Sequence, residues 1–474
     1  MTAAFVTVIL AAGQGTRMKS ALPKVMHPIA GLPMYAHIVE AALGAGAREV
    51  VLVVGHGRAE VERDVLERFD RRVSTAVQEQ QLGTGDAVRA GVMGLKDSTG
   101  YVVILYGDTP LVHEALISAL MARAAESSAR AVVLTSEVAD PSGYGRILRD
   151  SRGKVLGIRE HKDASLGERA VREINCGAYA FQAEFLREAL TKLATDNAQG
   201  ELYITDVVGQ AAALDSVATV AWNFEDVGGV NDRAQLATCE AAMRLRIARR
   251  FAESGVTIRD LTTAYIDAHV SIEPDVVIEP SVHLRGNTKI RSGARIDVGC
   301  VLSNVSVARG AYLKPYTVAS DSEIGERVET GPFAHLRPES VLEADSKIGN
   351  FVEMKKTRLG RGSKASHLSY LGDGVIGTHV NIGAGTIFCN YDGVNKHVTT
   401  IEDDAFIGSD SQLIAPVRIG EGAYVGTGST INRDVPADAL AISRAKQENK
   451  LGYAARLAAR FSALKAAKAA KAAK

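Results

Sequence analysis

The chain has 474 residues, and its 55 Lys and Arg residues balance 55 Asp and Glu residues, so its formal net charge is zero. A chain of this length is expected to form at least two domains, and balanced charge supplies no long-range field for a polyanion, so no nucleic-acid partner is predicted and any phosphate must be bound locally. Four widely spaced cysteines without a CxxC pair favour a reducing cytoplasm over a disulfide framework or zinc site, and no apolar run is long enough to cross a membrane.

Residues 1–229 alternate short apolar runs with helix-like stretches. The runs at 5–10, 50–54, 101–106 and 131–134 are continuous rather than alternating, which is typical of strands covered on both faces. The first run lacks a basic leader and continues into a glycine-containing turn, which favours a buried strand over a signal peptide. This pattern predicts a Rossmann-like α/β domain with a mostly parallel sheet.

A glycine-containing loop follows the first predicted strand and leads through Arg17 to Lys24. Backbone N–H groups in such a strand-to-helix turn can approach a polyphosphate, and the two cationic side chains can neutralise it. The steric demands of an α/β turn explain the glycines alone equally well. Met18 stands where the dinucleotide fingerprint requires a third glycine, which disfavours a Rossmann dehydrogenase.

The segment from Leu10 to Lys24 resembles the signature of sugar-1-phosphate nucleotidylyltransferases, and the loop at 80–85 resembles the family loop that faces the uracil base. The resemblance implies attack by a sugar phosphate oxygen on the α-phosphorus of UTP, which expels pyrophosphate. Because that nucleophile is already an anion, catalysis would rest on positioning, on Mg²⁺ and on cationic side chains rather than on a general base. The residues assigned in this way to UTP and the sugar nucleotide are Leu10, Ala11, Ala12, Gly13, Arg17, Lys24, Gln78, Gly83, Thr84, Tyr106, Gly107, Asp108, Gly145, Glu160, Asn175 and Asn231.

Asp108 and Asn231 are the Mg²⁺ ligands that this resemblance implies. Asp108 follows a predicted buried strand, at the edge where open α/β sheets bind ligands, although turns and helix caps also favour aspartate. Residues 230–254 are predicted to form an amphipathic linker helix, because apolar residues recur there every three or four positions. Asn231 begins that helix, so a helix N-cap is the alternative to a metal ligand.

Residues 255–474 change character and carry a six-residue repeat, seen most clearly in Ile401, Ile407, Leu413, Ile419, Val425 and Ile431. Such a period suits neither a helix nor an ordinary strand. It predicts a left-handed parallel β-helix, a three-sided coil of short strands with one inward aliphatic on each side. The period breaks between Ile387 and Ile401, which predicts a projecting loop around residues 390–393. The Lys-Ala-Ala repeat from Ala463 to Lys474 predicts a frayed, solvated tail.

Polar motifs between Gly331 and Tyr391 include Ser366-His367-Leu368-Ser369-Tyr370 and Asn390-Tyr391. They resemble, nearly residue for residue, the acetyltransferase half of the bacterial bifunctional enzymes that make UDP-N-acetylglucosamine, and the whole resemblance covers residues 3 to about 450. It implies acetyl transfer from acetyl-CoA to glucosamine 1-phosphate, with His367 accepting the amine proton. Arg337 and Lys355 would clamp the sugar phosphate, and Tyr370 and Asn381 would hold the sugar. The residues assigned to acetyl-CoA are Ala384, Asn390, Tyr391, Ser409, Thr427 and Arg444, with Asn390 and Tyr391 also beside the sugar.

Two residues depart from the family pattern. His335 stands where arginine is frequent, and Thr427 stands where alanine is expected. The resemblance also implies a cytoplasmic homotrimer whose acetyl-transfer sites are shared between subunits. Its product would feed the synthesis of peptidoglycan and lipopolysaccharide precursors.

Two alternative functions remain open from the sequence. A nucleotidylyltransferase with a regulatory coil, such as an ADP-glucose or GDP-mannose pyrophosphorylase, would not need His367, Lys355 or the loop at Asn390. A guanine-nucleotide-exchange subunit of translation initiation combines the same two folds without being an enzyme. Arg17, Lys24 and Asp108 are all present, which argues against the second alternative.

Overall fold

The structure is a computed structural model that describes residues 4–95 and 100–472. The chain divides into two compact units. The first unit extends to Ile272 and includes Ile278–Thr288, and the second contains Glu273–Val277 and the chain from Lys289 onward. Among the described residues, no helix combines the length and apolar character that a membrane span requires.

A twisted mixed sheet forms the centre of the first unit. Its strands and the small hairpins beside it are β1 (Phe5–Leu10), β2 (Pro28–Ile29), β3 (Leu32–Pro33), β4 (Val50–Val54), β5 (Val73–Val77), β6 (Tyr101–Tyr106), β7 (Ala131–Glu137), β8 (Arg146–Arg149), β9 (Val155–Arg159), β10 (Glu173–Gln182) and β11 (Val217–Ala221). The order in the sheet is β11-β7-β10-β6-β1-β4-β5. Every residue of β1 and β4 is buried, as their continuous apolar sequences predict.

The predicted mostly parallel sheet is confirmed, with one difference. β1 pairs in parallel with β4 and β6, whereas β10 runs antiparallel to both β6 and β7. The chain enters β10 from the antiparallel hairpin of β8 and β9, and β10 also pairs antiparallel with β8. The chain therefore returns to the sheet through antiparallel hairpin pairing, and not through the crossover connection that joins parallel strands.

Helices cover the sheet of the first unit, and one further helix, α9, lies near the end of the second unit. They are α1 (Met34–Gly44), α2 (Arg58–Arg68), α3 (Thr84–Gly94), α4 (Glu114–Ser127), α5 (Leu166–Arg169), α6 (Ala183–Thr191), α7 (Thr205–Ala213), α8 (Arg233–Glu253) and α9 (Tyr453–Ala472), with 3₁₀ turns at Thr16–Met18, Lys24–Met26 and Phe224–Asp226. The helix predicted from the apolar spacing near residue 240 is α8, which buries Cys239, Met243 and Ile247. Its regular period of apolar residues therefore matches one buried face.

Short strands follow one another between α8 and α9. In the first unit or across its boundary they are Thr257–Ile258, Tyr265–Ile266, Ser271–Ile272, Val277–Ile278 and His283–Arg285. In the second unit they are Lys289–Ile290, Arg295–Ile296, Val301–Ser303, Ser306–Val307, Tyr312–Leu313, Val318–Ser320, Glu323–Ile324, Glu329–Thr330, His335–Leu336, Val341–Leu342, Lys347–Asn350, Glu353–Lys355, Arg358–Leu359, Lys364–His367, Tyr370–Gly372, Gly374–Ile376, Asn381–Ile382, Ile387–Cys389, Thr399–Ile401, Phe406–Ile407, Gln412–Ile414, Val417–Ile419, Tyr424–Val425, Thr430–Ile431 and Leu440–Ala441.

The strands of the second unit stack in parallel into three sheets, so that each turn of the coil contributes one strand to each sheet. Most neighbours in a sheet lie 17 or 18 residues apart, as in the pairs Lys347↔Lys364 and Glu329↔Lys347. Pairs on either side of the loop around residues 390–393 lie 25 residues apart, as in Asn381↔Phe406. The aliphatics of the six-residue repeat point inward, and Ile407, Leu413 and Ile419 are completely buried. The predicted three-sided β-helix of hexapeptide repeats is confirmed.

The loop predicted around residues 390–393 leaves the coil between the strands that end at Cys389 and begin at Thr399. Asp392 shapes it, because its Oδ1 accepts from the N–H groups of Val394 at 2.8 Å and Asn395 at 2.6 Å. The tail differs from its prediction. It forms α9 as far as Ala472 instead of fraying, since alanine and lysine favour helix, although its residues are exposed or half-exposed. The last two tail residues, 473 and 474, lie outside the described residues.

We expect Leu413→Ala to lower the free energy of unfolding by about 2–5 kcal/mol, because it removes a buried side chain and leaves a cavity. Chemical denaturation followed by circular dichroism measures the loss. Ile414→Ala is the matched control, because Ile414 is 42% exposed and surface truncations usually change stability by less than about 0.5 kcal/mol. Equal losses in both variants would contradict the inward position of Leu413.

Candidate active sites

The first candidate site lies where β1 and β6 end. These strands pair in parallel with Leu10 opposite Tyr106, so the loop after β1 and the residues after β6 leave the sheet at the same carboxyl edge. The Gly107 N–H donates to the Leu10 carbonyl at 2.8 Å and fixes this arrangement. The register therefore brings Asp108 beside the loop that carries the predicted phosphate-binding residues.

Lys24 stands between two oxygen-bearing side chains at this edge. Its Nζ lies 2.5 Å from Asp108 Oδ2 and 3.0 Å from Asn231 Oδ1. Arg17 Nη2 donates to the same Asn231 oxygen at 2.8 Å. The Val230 N–H donates to the Asp108 carbonyl at 2.8 Å and holds Asn231 in place. The two predicted metal ligands and the two predicted phosphate-binding cations thus form one cluster.

The helix-cap alternatives for Asp108 and Asn231 are wrong, whereas Asp108 does lie in the turn that follows β6. The cap of α8 is Asp232, whose Oδ1 accepts from the Gln235 N–H at 2.8 Å, so the Asn231 side chain is not a helix cap. The helix after Asp108 begins only at Glu114 and has His113 at its N-cap position. The side-chain oxygens of Asp108 and Asn231 therefore face the cationic cluster rather than a helix end.

A cavity of about 270 Å³ opens beside this cluster. Its walls include most of the residues predicted to contact UTP: Leu10, Ala11, Ala12, Gly13, Lys24, Gln78, Gly83, Thr84, Tyr106 and Asp108. Gln78 is 7% exposed, and its amide donates to the Gly83 carbonyl at 3.1 Å and to Asp86 Oδ2 at 3.0 Å. Those two bonds shape the loop that the sequence assigns to the base.

Gly145, Glu160 and Asn175, which were predicted to contact the sugar, form a second group in the same unit. A Cβ atom at Gly145 would lie 3.5 Å from both Asn175 Cβ and Glu160 Oε1, so the three residues are neighbours. Thr205 Oγ1 donates to Glu160 Oε1 at 3.0 Å. Burial raises the pKa of Glu160, with nearby carboxylates as lesser causes. A half-buried carboxyl with one fixed acceptor oxygen suits recognition of sugar hydroxyls.

The second candidate site lies in the coil and centres on His367. The parallel register places Asn350 directly beside it, and His367 Nδ1 lies 2.9 Å from Asn350 Oδ1. An amide oxygen only accepts hydrogen bonds, so Nδ1 carries the proton and donates. The exposed Nε2 then has a free lone pair, which is the form of histidine that can accept a proton.

A row of residues continues from His367 along the following turns of the coil. The Gly385 N–H donates to the Leu368 carbonyl, the Asp410 N–H donates to the Ala384 carbonyl at 2.7 Å, and the Gly428 N–H donates to the Ser409 carbonyl at 2.9 Å. Arg444 Nη1 donates to the Thr427 carbonyl at the far end. The structure therefore aligns Ala384, Ser409, Thr427 and Arg444, the residues assigned to acetyl-CoA, in one row that we call the CoA row.

Cationic side chains gather on the neighbouring sheet of the coil. Arg337 Nη1 forms an ion pair with Glu353 Oε1 at 2.7 Å, and Lys355 lies one strand further on. The ammonium of Lys396 beside it lowers the pKa of Lys355. Two ammonium groups held this close repel each other, and an anion between them would relieve the repulsion. His335 begins the short strand that ends at Leu336, just before Arg337, and it is exposed.

The remaining predicted sugar-site residues divide into two sets. Asn390 is buried, and its Nδ2 donates to Asp373 Oδ2 at 2.5 Å, while a Cβ at Gly372 would lie 2.7 Å from that Nδ2 and 2.5 Å from Tyr370 Oη. Tyr370 and Asn390 are therefore neighbours across Gly372. Tyr391 is exposed, and its hydroxyl donates to the Gly393 carbonyl. Asn381 pairs in register with Lys364 and Phe406, on the sheet of His367 rather than on that of Tyr370.

Three residues lie at these candidate sites although no individual role was predicted for them. Gln81 lines the nucleotide cavity and donates to the Ala12 carbonyl at 2.8 Å. Asn350 precedes His367 by one turn of the coil, so the 17-residue spacing between strands is the signal that identifies it. Lys396 lies in the inserted loop, where a cation outside the six-residue repeat is the only sequence signal.

Comparisons with known proteins agree with both halves of the chain. A model of the MobA-like NTP transferase domain matches residues 7–196, and one of the bacterial transferase hexapeptide (six repeats) matches residues 399–433. The bifunctional protein GlmU of Sorangium cellulosum is 58% identical over 459 residues, which cover 96% of this chain and 97% of the relative. Those of Pelobacter propionicus and a Geobacillus species are 49% and 46% identical and cover 95% of this chain and 98% and 97% of each relative.

Fold, sites and domain matches together define a two-part transferase, in which an NTP transferase domain precedes a hexapeptide-repeat domain. The chain belongs to the family of bifunctional GlmU proteins. The prediction of one enzyme with nucleotidyltransferase and acetyltransferase activities is confirmed. A nucleotidylyltransferase with a merely regulatory coil and an inactive exchange subunit are both excluded by this membership.

The contact between His367 and Asn350 predicts a pH response. In Asn350→Asp, the new carboxylate favours the charged imidazolium, so the neutral base is lost at a higher pH than in the parent. We expect the acidic limb of the pH–rate profile for acetyl transfer to move upward by about one pH unit. Release of the CoA thiol measures this rate, and nucleotidyl transfer by the same variant is the control. An unchanged acidic limb would show that Asn350 does not act on the base.

Proposed function

We propose that the chain makes UDP-N-acetylglucosamine by two reactions at two separate sites. Acetyl-CoA acetylates glucosamine 1-phosphate in residues 255–474, and UTP then uridylylates the N-acetylglucosamine 1-phosphate in residues 1–229, with residues 230–254 as the helical linker. The observation that carries the proposal is the convergence of Lys24, Asp108 and Asn231 at the carboxyl edge of the sheet. The fixed tautomer of His367 supports the acetyl-transfer half.

Asp108 and Asn231 are the residues that we propose as Mg²⁺ ligands. A carboxylate and an amide oxygen are hard donors that suit this ion, and both already converge on one cation, the Lys24 ammonium. Within the described residues, no group of three or more His, Cys, Asp or Glu could hold a metal by itself. Substrate phosphates and water would therefore supply the other ligands, and the bound ion would neutralise phosphate charge.

In the uridylyl transfer that we propose, an oxygen of the sugar phosphate forms a bond to the α-phosphorus of UTP. The bond from that phosphorus to the β-phosphate oxygen breaks, and pyrophosphate leaves. Arg17 and Lys24 take up the negative charge of the phosphates, while the loop at Gly13 approaches them with its backbone N–H groups. Glu160 and Asn175 hold the sugar and thereby orient the attacking oxygen.

In the acetyl transfer, the amine of glucosamine 1-phosphate attacks the thioester carbonyl of acetyl-CoA. His367 Nε2 accepts the proton that the nitrogen loses as the new C–N bond forms. The C–S bond breaks, and the departing sulfur takes a proton back from the imidazolium, so that CoA leaves as the free thiol. Arg337 and Lys355 bind the sugar phosphate, with Tyr370, Asn381 and Asn390 around the sugar. The CoA row holds acetyl-CoA beside Tyr391, and Thr427 contributes through its carbonyl, so its side-chain difference from alanine matters little.

We further propose a cytoplasmic homotrimer whose product feeds peptidoglycan and lipopolysaccharide precursor synthesis. The four cysteines are free thiols, which fits a reducing compartment. The second unit exposes a stack of large apolar side chains, in which the rings of Tyr316, Phe333 and Phe351 lie 5.2 and 5.5 Å apart. These three side chains and Leu368 are each between 48% and 60% exposed, and such a patch favours association with further copies.

We expect His367→Ala to reduce thiol release about 10²- to 10⁴-fold and to leave pyrophosphate release unchanged, because it removes only the general base. Asp108→Ala should reduce pyrophosphate release by about 10²-fold or more and leave thiol release unchanged. Purified protein is assayed with glucosamine 1-phosphate and acetyl-CoA, and separately with N-acetylglucosamine 1-phosphate, UTP and Mg²⁺.

His379→Ala is the matched control for the histidine, because His379 is an exposed coil histidine whose described partner is Asp404, 3.6 Å away. It should retain both activities. Loss of both activities in His367→Ala or in Asp108→Ala, with the fold intact by circular dichroism, would contradict two independent sites. Full thiol release in His367→Ala would refute the role of that histidine.

A further inference from the structure

A bulge interrupts β10 at the sugar side of the first site. β10 pairs with β7 in regular register through Asn175, and the register shifts before pairing resumes at Tyr179. Gly177 lies inside the bulge with a φ of 75°, a left-handed conformation that glycine adopts without strain. Bulges of this kind re-aim side chains and are frequent beside active sites.

The bulge brings two side chains together that a regular strand would separate. Residues four apart on an extended strand are separated by about 13 Å. Here Asn175 Nδ2 donates to Tyr179 Oη at 2.6 Å, and the Gly177 N–H donates to Asn175 Oδ1 at 3.1 Å. Both ends of the Asn175 amide are thus fixed by its own strand, and the second N–H of Nδ2 remains available for a substrate.

The same bulge also contacts a wall of the nucleotide cavity. Tyr179 is completely buried, and a Cβ atom at Gly177 would lie 2.9 Å from Cδ2 and Cε2 of the Tyr106 ring. Burial is the main cause that raises the pKa of both tyrosines, so both phenols keep their protons at neutral pH. The bulge that holds Asn175 and Tyr179 together therefore packs against Tyr106, a residue of the cavity wall.

We propose that Tyr179 is a positioning residue that couples the sugar subsite to the nucleotide subsite. Its hydroxyl fixes Asn175, and the bulge that this contact closes packs against Tyr106, so that the sugar phosphate is presented to UTP in one orientation. The inference rests on the proposed function, because it takes Asn175 as a sugar contact and the Tyr106 wall as the nucleotide side.

Tyr179→Phe tests the proposal, because it removes the hydroxyl and keeps the ring in the core. We expect the KM for N-acetylglucosamine 1-phosphate in pyrophosphate release to rise roughly three- to tenfold, the effect of one net hydrogen bond. Thiol release by the same protein should stay unchanged. Tyr101→Phe is the matched control, because Tyr101 is a buried tyrosine of the adjacent β6 whose hydroxyl donates to the carbonyls of Ala124 and Ala129. It should leave this KM unchanged.

Asn175→Ala and the double variant with Tyr179→Phe separate positioning from general core damage. If Tyr179 acts through Asn175, the double variant has the same KM for the sugar phosphate as Asn175→Ala alone. The inference would be overturned if the two substitutions multiplied their effects on KM in the double variant. It would also be overturned if Tyr179→Phe and Tyr101→Phe lost kcat and melting temperature equally and neither changed KM. A raised KM in Asn175→Ala with a normal KM in Tyr179→Phe would also overturn it, and would leave the proposed function standing. A normal KM in Asn175→Ala would instead refute the sugar contact itself, and the inference with it.

Discussion

The parallel pairing of β1 with β6 is the constraint on which the first site depends. With Leu10 opposite Tyr106, both strands end at the same level, and the chain must turn there in two places. The oxygen of Asp108 and the ammonium of Lys24 meet because those two turns are neighbours. Since both strands are buried between helix layers, the positions of their ends are fixed by the whole core rather than by the loops.

Strand ends and apolar runs are local signals, and they explain why the sequence predicts much of this site. Lys24 and Asp108 follow recognisable buried strands, so their proximity follows from sheet geometry. The role of Asn231 could not be settled in the same way, because it depended on whether α8 begins one residue earlier or later. Asp232 takes the cap position, and that choice frees the Asn231 side chain to face Lys24.

Contacts between turns of the coil were harder to predict than the coil itself. The six-residue period identifies inward aliphatics such as Leu413, but it does not say which outward residues become neighbours. Predicting those neighbours requires the number of residues in each turn, which varies between 17 and 18. The inserted loop lengthens one turn further. Asn350 and Lys396 were missed for this reason. The antiparallel β10 and its bulge were not predicted. Gly177 is the sequence signal for the bulge, but a glycine in a strand indicates a bulge or a close approach of another backbone equally well.

The CoA row has a geometric consequence of its own. Parallel strands of one sheet are spaced by about 4.8 Å, so a residue repeated once in each turn recurs at that step along the coil axis. Three such steps, from Ala384 to Arg444, span about 14 Å. If acetyl-CoA lies along this row as we propose, it would pass one turn of the coil at every step. Arg444 and His367 stand at opposite ends of the row, so their separation would favour a ligand whose charged and reactive ends are spaced to match it.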